Sequence, residues 1–515
     1  MISKKRTVLT NLDSNNSLEQ TEFILPKINK NEIKNNGSEV HFFNTSKKEL
    51  PKKYFLYIPE NLDVDVLVSD NNPDILGFKK DKLIYIISLI YSIPVRLKDY
   101  DFEAENGYVP INSEILKTRV REYNEYLKYL IDVGVLEKRN DFKYQTGVTS
   151  SGYRFTNQYN TAPKRAFITW KRLIKAICKL NKKEEEVYID VSERPLEYLD
   201  KWWNSKIEFD YIGAKRWLDN KLLEELKLSK PHCERRYFVR RLVIEKFKNR
   251  DYTLHQDSTT GRVHSLLTQL KSELRQFVTY DGKPLVALDI INSQPFLTAS
   301  LLNLETFISN NIQEKINKYN DREDIKSTIM LALKHEDLKK KDDLIKFLDF
   351  VAKGEFYEMF GELLLEKGLV KEKDKKKLRK LTKRVMFASM FGNNNGKCKM
   401  KDKKTGKIRF IPNEGMELFK ETFPTVHEIF RIIKIKRHNT LACLLQNLEA
   451  ELVLHRACKI ISDERPDVPI FTLHDSIITT DINANYVKRV LSEVLLDAIG
   501  IAPKIDEQYW NKEVA

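Results

Sequence analysis

The chain has 515 residues, enough for roughly two to four domains with real cores. Lys and Arg total 89 against 74 Asp and Glu, a formal charge of +15 that suits a polyanion, either nucleic acid or an anionic membrane face. No apolar stretch nears the length of a membrane span, and Met1-Ile-Ser-Lys-Lys-Arg-Thr7 leads into polar residues without a signal-peptide core, so membrane attachment drops out. Five cysteines (Cys178, Cys233, Cys398, Cys443, Cys458) lie far apart without a Cys-x-x-Cys. That spacing predicts a reduced, cytoplasmic protein with no structural zinc.

Residues 1–75 are polar and Asn-rich, and Asn31–Ser38 reads as loop or disorder, with a folded element beginning near Tyr54. The next unit spans 76–165. Lys82–Ile93 is an apolar helix, Asn112 caps a second, and Val120, Tyr123, Leu127, Leu130 and Ile131 line a third that Gly134 closes. Val135–Glu137 and Gly152–Phe155 read as strands around a basic tip, Lys138–Ser151. Three helices and a hairpin resemble the winged helix of plasmid and phage replication initiators. In such a domain the third helix enters a groove and the hairpin tip tracks phosphates. The DNA-binding candidates are Lys117, Arg119, Arg121, Lys128, Lys138 and Arg139. The competing reading is a helical protein-docking module with a solvated basic face.

Residues 166–284 read as mostly helical, and 285–515 as a separate, larger unit. Glu234–Arg250 alternates basic and apolar residues at helical spacing. Arg236, Arg240 and Arg241 would grip duplex backbone there, or form a solvated face over a core stripe. Leu285–Ile290 is a short apolar run, a buried strand, and Asp289 within it needs a partner. Residues 300–370 are helical and Lys-rich. Arg379, Lys383, Phe387 and Phe391 recur every four residues, a gently drifting stripe on one helix that Gly392 ends. Lys397–Pro412 reads as a basic β-hairpin, and Pro469–Thr479 as an apolar strand with Asp475 beside Ser476.

Phosphoryl transfer is mostly positioning and charge stabilisation. Two divalent ions about 4 Å apart stabilise the attacking and leaving oxygens together, and hard ions want carboxylates. Asp289 and Asp475, on two strands lying side by side, would hold such a pair. The basic stripe would offer two cations to phosphates and an aromatic face to a base. Singly, each Asp reads more readily as a strand closure, and the helix as a surface helix with a core stripe. The ordered set favours the chemistry.

The segments Leu285–Gln294, Arg379–Gly392 and Phe471–Ser476 resemble motifs A, B and C of the family A polymerase superfamily, which includes DNA polymerase I and the single-subunit RNA polymerases. The middle segment carries Arg, Lys, Phe and aromatic-Gly at each signature position. The resemblance covers residues 210 to 515. It implies an α+β right hand, with a helical connector and thumb over 166–284 and palm and fingers over 285–515, preceded by a mostly helical N-terminal region with the winged-helix-like domain. It makes Asp289 and Asp475 ligands of two Mg2+ ions, with Mn2+ as substitute. Lys383 would be catalytic, contacting phosphates and protonating departing pyrophosphate. Arg379 would hold the distal phosphates, Phe387 would pack on the nucleotide, Phe391 would close over the templating position, and His474 would lie near the primer end. Thr260-Gly261-Arg262 resembles a segment whose Arg contacts the primer-template, and Leu445–Ala450 one whose Gln, here Gln446, opens a helix and touches the duplex.

The product sugar divides the features. RNA polymerases of the superfamily have a Tyr hydroxyl where this chain has Phe391, and DNA polymerases a bulky residue where it has Gln294. Both lean toward dNTPs. Ser476, where DNA polymerases have Glu, and Thr382–Met386 lean toward RNA synthesis. The expectation is a DNA polymerase of a phage, plasmid or mobile element, with template, primer and dNTPs as partners. The alternatives are a single-subunit RNA polymerase or primase using rNTPs, a non-catalytic replication initiator, and an untemplated or protein-primed nucleotidyltransferase. No acidic cluster before residue 200 suggests a proofreading exonuclease.

Overall fold

The computed structural model describes residues 51–97, 100–103, 105–140, 150–178, 196–257, 259–310, 341–401 and 408–510. The disorder expected before residue 50, most of the basic tip after Lys138, part of the 300–370 helical region and the turn at Lys404–Lys407 lie outside them. The described chain is α+β and mostly helical, built on three apolar cores.

The first core lies in the N-terminal unit. Strand β1 (Tyr54–Pro59) pairs antiparallel with β5 (Pro163–Ile168), Tyr54 opposite Ile168. The helix Lys80–Arg96 is buried continuously from Lys82 to Tyr91, so it is a core helix rather than an amphipathic one. Then come β2 (Val109–Ile111), the helices Ser113–Arg119 and Tyr123–Asp132, β3 (Leu136–Lys138) and β4 (Ser151–Phe155), with β4 central in the order β2-β4-β3. Asn112 caps the Ser113–Arg119 helix, its side chain accepting the Ile115 N–H at 3.0 Å. The break expected at residue 75 falls inside this unit. Both β1 and the helix Val64–Asp70 precede it, and Tyr57, Leu62, Val64 and Leu67 pack into the same core.

Helices Tyr211–Lys227 and Cys233–Lys248 pack on each other, and the second also packs on Lys80–Arg96. Its Leu242 joins the N-terminal core while Val243, Ile244 and Phe247 join the next one. The segment 166–284 is less purely helical than its composition suggests. It carries β6 (Ile207–Phe209), β7 (His255–Gln256), β8 (Val263–His264) and β9 (Val278–Tyr280). Two of these, β6 and β9, extend the central sheet.

That sheet runs from β13 (Phe471–Leu473) through β14 (Ser476–Thr480), β10 (Lys283–Ile290) and β9 to β6, with β15 (Ile505–Tyr509) also on β10. The apolar run at 469–479 is not one strand. It folds as a hairpin of β13 (Phe471–Leu473) and β14 (Ser476–Thr480), with His474 and Asp475 at the tip. His474 takes φ 57°, a left-handed conformation that His tolerates better than β-branched neighbours would. Beyond β10, the helices Asp342–Ala352, Phe356–Glu366, Lys375–Phe391, Glu414–Thr422 and Pro424–Ile433 enclose an aromatic core that includes Phe347, Phe356, Phe360, Phe419, Phe423 and Phe430. Strands β11 (Lys397–Lys401) and β12 (Ile408–Pro412) pair as the expected hairpin. Thr440–Ala450 runs through a π-helical stretch, Glu451–Ala457, into Cys458–Glu464. Among the described residues, no helix is long and apolar enough to cross a membrane.

Candidate carboxylate and cation site

The antiparallel register sets Asp289 of β10 opposite Ser476 of β14 on one side and Asp506 of β15 on the other. Ser476 follows the hairpin tip, so Asp475 reaches the same strand ends. The Ser476 hydroxyl donates to Asp289 Oδ1 at 2.5 Å. The Ser293 hydroxyl, just past β10, donates to Asp475. Burial raises the Asp289 carboxyl to about 6. The charge of Asp475, and more weakly that of Asp506, adds to this, against the Ser476 bond and the charge of Lys383. A carboxylate whose ionisation is disfavoured by burial and by a neighbouring acid is what a divalent cation relieves. No group of three His, Cys, Asp or Glu gathers as a metal cage among the described residues. The pair is enough for Mg2+, which keeps several waters and takes one or two carboxylates plus phosphate oxygens. Asp289 and Asp475 are therefore a donor set that fits it.

The Lys375–Phe391 helix brings its cations to this edge. Asp374 caps it, its side chain accepting the Lys377 N–H at 2.9 Å, and Gly392 ends it. Lys383 is exposed, within electrostatic reach of Asp289. Its ammonium lies 5.5 Å from the Phe387 ring centroid and 5.9 Å from that of Tyr357. Arg379 is not free. Its Nε donates to Glu358 at 2.5 Å and its Nη2 to Asn292 Oδ1 at 2.9 Å. Phe387 is half-buried and Phe391 buried, their rings 5.5 Å apart and steeply inclined. The His474 ring packs edge-on to His264 at 5.9 Å, next to β8.

Several expected contacts are committed elsewhere. Arg262 donates from Nε and Nη2 to the two oxygens of Glu449, at 2.8 and 2.7 Å. Gln294, 8% exposed, donates to Glu449 Oε2 at 2.9 Å, so one buried acid holds both side chains. Gln446 sits within the Thr440–Ala450 helix, half-buried, rather than opening it. The neighbouring Asn447 ties that helix to the Thr260-Gly261-Arg262 turn through Thr259 O at 2.8 Å.

Arg236, Arg240 and Arg241, three of the four arginines of the Cys233–Lys248 helix, are paired with acids. Arg241 is buried against Glu245 and the Tyr211 hydroxyl, at 2.8 and 2.6 Å. Arg236 and Arg240 both donate to buried Glu225, at 3.1 and 3.2 Å. Spacing cannot distinguish Arg236 and Arg240 from phosphate ligands, because their partner Glu225 lies on another helix, whereas Glu245 stands four residues from Arg241 on its own. In the N-terminal unit Arg139 pairs with Glu105 at 3.0 Å, and Arg119 donates to the Tyr85 hydroxyl at 2.7 Å. Lys117, Arg121, Lys128 and Lys138 are exposed.

Sequence reasoning missed Asn292, Ser293, Tyr357, Glu358, Glu449 and Asp506. Tyr357 is 2% exposed and lies under Arg379 and Lys383, and burial drives its hydroxyl well above the usual phenol range. The signal for Asn292 and Ser293 was their position just past a buried acidic strand. Glu449 reads as an ordinary helical Glu.

No family model matches the chain, and no curated protein matches it. Among solved structures, it is similar to the POL domain of Pol1 from M. smegmatis in complex with DNA primer-template and dNTP. That match has a TM-score of 0.27 and 11% identity over 61% of this chain and 69% of that one.

Proposed function

We propose that the chain is a template-directed nucleotidyltransferase, a DNA polymerase of a phage, plasmid or mobile element that extends a 3′ end with dNTPs. The observation that carries this reading is the meeting of Asp289 and Asp475 at adjoining strand ends, with Lys383 of the Lys375–Phe391 helix within electrostatic reach of Asp289. The motif resemblance and the net charge of +15 support it. In this reading β10, β13 and β14 belong to a palm, and the helices from Asp342 to Ile433 to fingers. The N-terminal unit is a winged-helix-like DNA-binding module, supported by its helix-strand-helix-helix-strand-strand order.

Magnesium, held by Asp289 and Asp475, would supply charge stabilisation to the attacking and leaving oxygens. The chain's own residues do the rest. Ser476 and Ser293 orient the two carboxylates. Lys383 offers a cation to the triphosphate and a proton to the leaving pyrophosphate. Arg379 leaves Glu358 to take the distal phosphates, and Phe387 packs against the base.

Primer extension with labelled dNTPs and, separately, rNTPs tests the reading. Template-dependent extension with dNTPs, lost in Asp475→Ala, is the expected result. No incorporation on DNA or RNA templates would leave a non-catalytic initiator. Ribonucleotide synthesis is the second reading, favoured because Gln294, the sugar-sensing position by resemblance, is turned onto Glu449.

A further inference from the structure

Behind the carboxylate pair lies another acid. Glu449 is 0% exposed, on the last turn of Thr440–Ala450 and just before the π-helical stretch, a feature frequent at functional sites. Burying a carboxylate is costly unless its lone pairs are filled. Here Arg262 and Gln294 fill them, from 187 and 155 residues away along the chain. Burial lifts the Glu449 carboxyl to about 7, with the charge of Asp475 adding to it and Arg262 opposing, which places the two acids within electrostatic reach.

Gln294 is the third residue of a tightly tied turn. Asn292 takes φ 54°, its Nδ2 donating to Gly354 O at 2.8 Å and its Oδ1 accepting from Arg379. Ser293 donates to Asp475, and Gln294 to Glu449. Consecutive side chains in the first turn of the Ser293–Thr298 helix diverge by about 100°, so they reach different acids. Without Glu449, Gln294 loses its acceptor and Arg262 is left without this counter-charge. The turn that carries Ser293 then loses the tie at Gln294 and keeps that of Asn292 to Gly354.

We infer that Glu449 is a positioning residue, which anchors the Asn292–Gln294 turn and so fixes Ser293 on Asp475. The inference rests on the polymerase reading only in giving Asp475 a metal to hold. Two variants test it in the full chain. Glu449→Gln keeps the shape and removes the charge. Arg262→Met with Glu449→Met removes both charges together, a replacement that buried ion pairs tolerate.

In both, deuterium exchange should quicken in peptides covering 290–296 and 471–478, and stay as in wild type across 54–168. Mn2+ binding, followed by electron paramagnetic resonance without substrate, should weaken about 10- to 100-fold, the usual effect of losing a residue that orients a ligand. In Glu449→Gln, kcat should fall while the nucleotide KM stays within about twofold. Wild-type exchange in both peptides in both variants overturns the anchor, whatever the kinetics. A wild type that neither binds Mn2+ nor incorporates nucleotide overturns the polymerase reading instead, and the exchange comparison still decides the anchor.

Discussion

Ser476 and Asp289 face each other across the β10–β14 register, and the serine hydroxyl donates to the aspartate at 2.5 Å. The bond favours the charged carboxylate, while burial and Asp475 oppose it. Ser476→Ala therefore raises the Asp289 pKa further above its wild-type value of about 6. The acid limb of the activity–pH profile should move to higher pH, with activity nearly restored at pH 8. A limb that stays in place would separate Asp289 from the rate-limiting ionisation.

Asp289→Asn should abolish incorporation and stabilise the fold. The folded-state pKa lies above the ordinary aspartate value of 3.8, so ionisation opposes folding. The cost is absent below pH 3.8, grows as pH rises toward about 6, and is full above that. At pH 8 the asparagine variant should gain roughly 1–3 kcal/mol, since a tenfold change in proton affinity corresponds to about 1.4 kcal/mol, and near pH 3.5 almost nothing. Thermal melts at the two pH values check the sign.

The chemistry of β10 and the basic helix was legible because it is local. An apolar run of strand length, a four-residue stripe and a terminal Gly392 announce themselves without tertiary context. The hairpin at His474 was hidden, because the residues on both sides are equally apolar and no Gly or Pro marks the reversal. The pairing of the arginines was hidden for a different reason. Arg262 finds Glu449 across 187 residues, and Arg240 finds Glu225 on a neighbouring helix. A periodic pattern says which face an arginine occupies, and only packing says whether an acid is waiting there.

Arg379 and Glu358 form an ion pair with side chains 41% and 43% exposed. Such a pair contributes about 0–1 kcal/mol. Glu358→Gln should therefore barely change stability. It should lower the KM for nucleotide severalfold, because Arg379 no longer has to leave a carboxylate to reach a triphosphate. Arg379→Ala should raise that KM. Steady-state kinetics on a fixed primer-template separates the two, and equal KM values in all three proteins would remove Arg379 from the nucleotide site.

The arginines of the Cys233–Lys248 helix and the lysine at the start of the basic tip should respond oppositely to mutation. Arg241 is buried against Glu245 and Tyr211, so Arg241→Ala leaves an acid whose side chain is 12% exposed without its cation and should cost about 3 kcal/mol in stability. It should leave the salt dependence of DNA affinity unchanged. Lys138 is exposed and carries no acid partner among the described residues, so Lys138→Gln should leave stability alone. If it tracks a phosphate, the variant lowers the slope of log affinity against log salt by about 1. Arg139→Gln should lower it less, because Arg139 already spends its charge on Glu105 at 3.0 Å. Binding titrations across a salt series, with denaturation curves on the same proteins, read both effects. An unchanged slope in Lys138→Gln would move the DNA contact of the N-terminal unit away from this hairpin, toward the exposed Lys117, Arg121 and Lys128.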